Sequence, residues 1–340
     1  MTRTTKMPST AKPGLIFRAI PDDGTAGLGY SRRGQPEYRQ RNVMGLPKDA
    51  QSVLSPCAVD YWYPGDDVPH GIEWVVNTCT DADSFGRALD WLEDKFGTVP
   101  IFNHPKGIRA TVRDRVPALL GGIPDLTVPK TIRTRFRTVA ELEQVFADNG
   151  FAFPVLIRPV ELQGGVGLLR IDGPQDWEDA LYTRFHGQEH FMTQFVESAT
   201  DAGEYRKLRV AFVGGQPYLR HIKVGPSWMV HNTPSDIAND FEATRELPMI
   251  DALRGDTRLV AICDQIGQRV PLDLFAADIG INPGSGQFVL FEANASVSVF
   301  FPERENETPE RLLRRDLLQA PAEAAFVDLL QRPDQWRRPA

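Results

Sequence analysis

Two stretches near the end of the chain carry oxygen-bearing side chains inside otherwise apolar runs. In FEANASVSVFFP (291–302), Glu292 and Asn294 stand two residues apart, and in DLFAADIGI (273–281) Asp278 interrupts a similar run. Strand alternation sends residues two apart to the same face. Pairing of the two runs would gather three hard oxygen donors, a set suited to magnesium, which neutralises nucleotide phosphates as a phosphoryl group moves. Polar residues facing water at a sheet edge would explain each of the three singly, but not all of them together. Earlier, Arg158 in FPVLIRPV leads into the glycine-rich ELQGGVG (161–167). Arginine offers a fixed positive charge to phosphate oxygens, and missing Cβ atoms let backbone N–H groups approach them. The loop is neither a P-loop nor a GxGxxG fingerprint, and taken alone it reads as a flexible hairpin.

The elements that must position these residues can be read from periodicity. GLIFRAI and GIEWVVNTC read as strands, ADSFGRALDWLEDKF as an amphipathic helix and VPIFNHP as a further strand, giving a βαβ unit with a parallel sheet. KGIRATVRDRVPALLGG reads as one basic helix stopped by glycines, and IPDLTVPKTIRT as a strand punctuated by proline. TVAELEQVFADNG has a Thr cap, a Glu three residues on and a closing Gly. FPVLIRPV and GLLRI are two strands joined by the glycine loop, and PQDWEDALYTRF is an amphipathic helix. HFMTQFV, YRKLRVAFV, QPYLRHIKV, DLFAADIGI and GQFVLFEANASV follow as strands, with Gly214 and Gly215 turning a hairpin. The segment from Glu303 reads as helical and then frayed, with RLLRR (311–315) as the solvated face of a helix. The fold class is therefore α/β followed by α+β.

Composition bounds the function. A 340-residue chain calls for two or three subdomains. Its net charge of −7 argues against a general nucleic-acid surface, and no apolar run reaches the roughly 18–20 residues of a membrane span. Cys57, Cys79 and Cys263 form no zinc or CxxC spacing, and the N-terminus lacks the apolar core of a secretory signal, so a reducing cytoplasmic setting is expected. No GxSxG elbow, HExxH or nucleophilic-cysteine signature supports a hydrolase.

From Val99 to Pro302 the motifs, in order, resemble the ATP-grasp superfamily of glutathione synthetase, D-alanine:D-alanine ligase and the ribosomal-protein glutamate ligases. PIFNHP with VRDRV resembles the family's Asn-Pro and following helix, and IPDLTVPKT its Pro-x-Thr strand. FPVLIRPVELQGGVGLL resembles the phosphate strand and glycine lid, and QFVES the interdomain hinge. LRVAFVGGQPYLRHIKV resembles the Arg-Val hairpin, and FAADIGI with FEANASVSV the terminal Asp and Glu-x-Asn metal signature. The resemblance implies a three-subdomain ATP-grasp fold. Its expected parts are an N-terminal α/β domain (1–105), a central lid domain (106–190), a C-terminal metal and nucleotide domain (191–310) and a helical tail (311–340).

It further implies ATP and Mg2+ as cofactors, with Asp278, Glu292 and Asn294 as metal ligands. ATP would meet Arg115 and Arg158, the lid residues Gln163, Gly164 and Gly165, the hinge Gln194, Phe195, Val196 and Glu197, and Glu204. Lys223 would face the transferred phosphate, and Arg209 would meet substrate or acyl phosphate. Arg stands at position 158 and at 115 where Lys is usual, and Lys207 stands where many relatives are acidic. The chemistry implied is an ATP-dependent carboxylate-amine ligation through an acyl phosphate. Small-molecule or peptide carboxylates and amines are the expected partners, without nucleic acid or membrane, and a homo-oligomer is left open. Two alternatives remain: a macrocyclase acting on a ribosomal peptide, and a homologue that binds nucleotide without turnover. His221, His231 and Asn232 read as surface or packing residues, and Trp228 and Met229 as core.

Overall fold

The computed structural model describes residues 13–24, 27–30, 36–39, 42–160, 162, 165–182, 188–230, 243–282, 284–296, 300 and 309–339. Chain order begins with β1 (Gly14–Ala19), a hairpin of β2 (Gly27–Tyr30) and β3 (Pro36–Arg39), α1 (Lys48–Leu54), β4 (Ala58–Tyr63), β5 (Trp74–Asn77), α2 (Gly86–Phe96) and β6 (Ile101–Phe102). β4, β1, β5 and β6 form a parallel sheet in that order. Every residue of β5 is buried, as expected of a strand covered on both faces.

Two short helices, α3 (Pro105–Ala110) and α4 (Val116–Leu120), replace the single basic helix expected from the sequence. Pro117 explains the break, because in a continuous helix its ring would collide with the carbonyl of Arg113. The expected single strand that follows is likewise divided, into β7 (Leu126–Thr127) and β8 (Thr131–Arg135), with Pro129 between them.

α5 (Val139–Asp148), β9 (Val155–Pro159), β10 (Leu169–Ile171), α6 (Trp177–Tyr182) and β11 (Glu189–Gln194) complete a central antiparallel sheet in the order β10-β9-β11-β8. It has its own hydrophobic core around Leu142, Ile157, Trp177 and Met192. Arg133 on β8 ties this sheet to its surroundings. Its guanidinium meets Asp83 beyond β5 at 2.8 Å, Glu189 at 2.9 Å and Asp114, between α3 and α4, at 3.4 Å. Helix α5 starts where its cap chemistry dictates. The Thr138 hydroxyl accepts the Glu141 N–H at 3.2 Å, and the Glu141 carboxylate reaches back to the Arg137 N–H. Thr138→Ala is expected to cost about 1 kcal/mol. Urea denaturation would read it, and an unchanged midpoint would assign helix initiation to packing alone.

The third sheet is formed by β12 (Tyr205–Val213), β13 (Gln216–Gly225), β14 (Leu274–Asn282) and β15 (Gln287–Asn294) together with β7, in the order β13-β12-β14-β15-β7. Between β13 and β14 come α7 (Ala243–Arg254) and α8 (Thr257–Arg269). Gly214 and Gly215, at φ 56° and 87°, make the tight β12-β13 turn that needs left-handed backbone.

α9 (Pro309–Leu318) and α10 (Ala320–Leu330) follow, but the segment does not fray as expected. Phe326 and Trp336 are buried against the first sheet: Phe102 lies 5.6 Å from Phe326 and 5.4 Å from Trp336, and Trp74 is 5.8 Å from Trp336. Nor is RLLRR merely solvated, since Arg314 pairs at 2.6 Å with the buried Glu246. Among the described residues no helix is long and apolar enough to cross a membrane.

Candidate active site

A cleft of about 340 Å³ lies between the central sheet and the third sheet, with the turn after α3 and the start of α4 along one side. Strand register assembles its polar wall. His221, Arg209, Asp278 and Glu292 are successive cross-strand neighbours on β13, β12, β14 and β15, and Asn294 lies opposite Ala276 on the same face as Glu292. The register shift between Asp278 and Ile279 leaves Phe291 as the extra residue on β15, also against the cleft. Lys207, two residues before Arg209, reaches diagonally across to Asp278.

Asp278 is the centre of this wall. Its Oδ1 accepts Arg209 Nε at 2.6 Å, and its Oδ2 accepts Arg209 Nη2 at 2.9 Å and lies 3.2 Å from Lys207 Nζ. Burial by itself would raise its pKa, but the hydrogen bonds and charge of Arg209, with Lys207 and His221, hold it well below the usual carboxylate range. Glu292 pairs with Arg113 and stands 3.8 Å from Arg209. Burial opposes its ionisation, yet the Arg113 cation outweighs that and keeps its pKa low.

Arg158 comes from the facing sheet. One of its Nη2 hydrogens is donated to Leu162 O, and its buried Nε–H meets no acceptor among the described residues. Burial and the nearby Arg113 cation both disfavour its charge. A buried donor without an acceptor costs about 1–3 kcal/mol.

The apolar lining includes Leu156, Phe195, Val196, Trp228, Met229 and Phe291. Phe195 is held between the Trp228 ring, edge-on at 6.2 Å, and the Arg170 guanidinium, 4.2 Å above its face. Trp228 and Met229 therefore face the cleft and are not simply core.

The expected site residues sort into groups by position. Arg158, Gly165, Gln194, Phe195, Val196, Arg209, Asp278, Glu292 and Asn294 all border this cleft. Gln163, Gly164, His231 and Asn232 lie outside the described residues. Arg115 does not border the cleft. It caps α4 and bonds Arg109 O, while Arg113 takes the inward position. The Gln194 carboxamide is spent within the protein, donating to Ala152 O and Pro154 O and accepting from Ala152 N.

Glu197 closes its own turn by accepting from Ser198 N, Ala199 N and Tyr205 OH. Burial opposes ionisation there, but these bonds and Arg170 keep its pKa below the usual value. Glu204 pairs with Arg206 at 3.3 Å, away from the cleft. Lys223 lies opposite Lys207 on the same face of the sheet, on the edge strand β13 and outside the cleft lining, and burial with Lys207 and Arg209 pushes its ammonium down to about 8. His221 is buried and not on the surface, its pKa driven well below the usual value by burial and Arg209.

Asp278, Glu292 and the Asn294 carboxamide fit magnesium in donor type, and the β14-β15 register gathers them at one edge. Among the described residues no three His, Cys, Asp or Glu are arranged to hold a metal by themselves. Phosphate oxygens would have to complete the shell.

No protein-family model matches the chain, and a search of curated proteins found no match by sequence. Solved structures do match. A RimK-domain ATP-grasp protein of Sphaerobacter thermophilus aligns with 93% of this chain and 99% of its own, at TM-score 0.52 and 13% identity. The VanG D-Ala:D-Ser ligase of Enterococcus faecalis covers 94% and 98%, at 0.53 and 13%. D-cycloserine synthetase DcsG covers 94% and 100%, at 0.52 and 15%. At these identities the likeness speaks to the fold, which is that of the ATP-grasp proteins.

Proposed function

We propose that this chain, built on the ATP-grasp fold, is an ATP-dependent carboxylate-amine ligase. The observation that carries the reading is the convergence on one cleft of Arg113, Arg158, Lys207 and Arg209 with Asp278 and Glu292, beside an apolar lining. Four cations suit a polyphosphate, and the Phe195 and Trp228 rings suit a flat heterocycle.

In this reading Arg158 binds phosphate oxygens from the central sheet, and the Gly165 backbone, at φ 78°, allows close approach beside it. Arg209, oriented by two bonds to Asp278, presents its remaining donors to the group being transferred. A substrate carboxylate oxygen attacks the γ-phosphorus and ADP leaves. An amine then attacks the acyl carbon of the resulting acyl phosphate, loses a proton and expels inorganic phosphate. Magnesium, held by Asp278, Glu292 and Asn294, would offset phosphate charge as the bond to ADP breaks. No protein nucleophile is needed, so the residues act by position and charge.

Incubation with ATP, magnesium and hydroxylamine across a panel of carboxylic acids tests this. ADP and hydroxamate appearing together with at least one class of acid are expected. AMP as the product, or ADP release indifferent to every acid, would refute the acyl-phosphate reading.

A further inference from the structure

Resting on that reading, we propose that Lys207, together with Arg113, Arg158 and Arg209, lets the cleft bind nucleotide polyphosphate without magnesium. The first ground is charge. The described residues that border the cleft include these four cations and two carboxylates, Asp278 and Glu292, a surplus of two positive side chains in the lining. A bare divalent ion would add to that surplus, whereas a polyphosphate relieves it.

The second ground is occupancy of the carboxylates. Both oxygens of Asp278 are bonded to Arg209, and Lys207 Nζ stands 3.2 Å from Oδ2 with both side chains almost wholly enclosed. Arg113 holds Oε2 of Glu292, and Asn294 Oδ1 accepts the Ser296 N–H at 2.9 Å. An ion entering an empty cleft would compete with each of these partners. The third ground is Arg158, whose buried Nε–H has no acceptor among the described residues and points to an anion in place of a metal.

Lys207 is the residue on which this balance turns. An acidic side chain at 207 would abolish the surplus and add an oxygen donor beside Asp278, making a site that takes the ion first. With lysine there, a fixed ammonium stands where an exchangeable cation would otherwise neutralise phosphate.

Titration calorimetry of ATP in EDTA and in magnesium, on wild type, Lys207→Met and Lys207→Arg, tests the proposal. Wild type is expected to bind ATP in EDTA with a Kd within about tenfold of that in magnesium, a difference of about 1.4 kcal/mol. Lys207→Met should weaken metal-free binding at least tenfold and magnesium-supported binding threefold or less, and Lys207→Arg should restore both. Magnesium chloride alone should give no saturable heat. Binding by wild type only when magnesium is present would overturn the inference and leave the ligase reading intact, while absence of binding in either buffer would overturn that reading itself. Equal weakening of Lys207→Met in both buffers, with an unchanged circular dichroism spectrum, would also overturn it. Should Lys207→Met not fold, the wild-type comparison and Lys207→Arg decide.

Discussion

Asp278→Ala lowers the free energy of unfolding by about 3–5 kcal/mol, the range seen when one partner of a buried ion pair is removed. The carboxylate is 4% exposed and sits between Arg209 and Lys207, whose side chains are 16% and 9% exposed. Without it, two enclosed cations stand two residues apart on β12, with only the Glu292 carboxylate, 3.8 Å from Arg209, left to offset them. Guanidinium or urea melts would measure the loss. Adding Lys207→Met to Asp278→Ala should recover part of it by removing one of the stranded charges. Because the folded-state pKa of Asp278 is depressed, its contribution is fully present above about pH 4, the unfolded carboxylate value, and declines only as pH falls toward the lower folded value. The cost of the substitution should therefore be the same at pH 5 and pH 6, below the range where Lys223 titrates near 8. A cost below about 1 kcal/mol would mean that the triad is solvated, as surface pairs are.

Arg158→Met is expected to weaken ATP binding by about 10- to 100-fold while leaving the melting temperature within a few degrees of wild type. Charge-assisted hydrogen bonds contribute about 1.5–3 kcal/mol, and this guanidinium has a donor to spare for an anion. Its removal also relieves a cation that burial and Arg113 disfavour, so the free protein should not suffer. Arg158→Lys keeps the charge but not the fork, and binding should fall by about tenfold or less. Calorimetry with ATP reads both variants. Unchanged affinity in Arg158→Met would remove Arg158 from the phosphate site.

What was legible in the sequence was what local pattern controls. The parallel strands β1 and β5 announce themselves by the apolar triplets Leu15–Phe17 and Trp74–Val76, the cap of α5 by Thr138 and Glu141, and the β12-β13 turn by its glycine pair. Alternation alone was enough to put Glu292 and Asn294 on one face. What could not be read depends on tertiary geometry. Arg113 and Arg115 sit two apart in VRDRV, and only the break before Pro117 decides which turns inward. The contact between Lys207 and Asp278 joins residues 71 positions apart across a diagonal that no local spacing marks. Gln194 looks like a ligand-reading side chain until its amide is found bonded to Ala152 and Pro154. The packing of Trp336 was hidden because its partners, Trp74 and Phe102, lie at the other end of the chain.

That last contact bears on how the protein is made. One of its hydrophobic cores combines Ile16, Trp74 and Phe102 with Phe326, Leu330 and Trp336. During synthesis the residues from the beginning emerge long before those from the end, and domains usually fold in that order. Here one face of the first sheet is covered in part by Ala50 and Leu54 of α1, and its cover is completed only by Phe326, Leu330 and Trp336. The central sheet, whose core draws only on residues 132–192, has no such dependence. Burial of the first sheet therefore depends on residues more than 220 positions later in the chain, whereas that of the central sheet depends on its own segment.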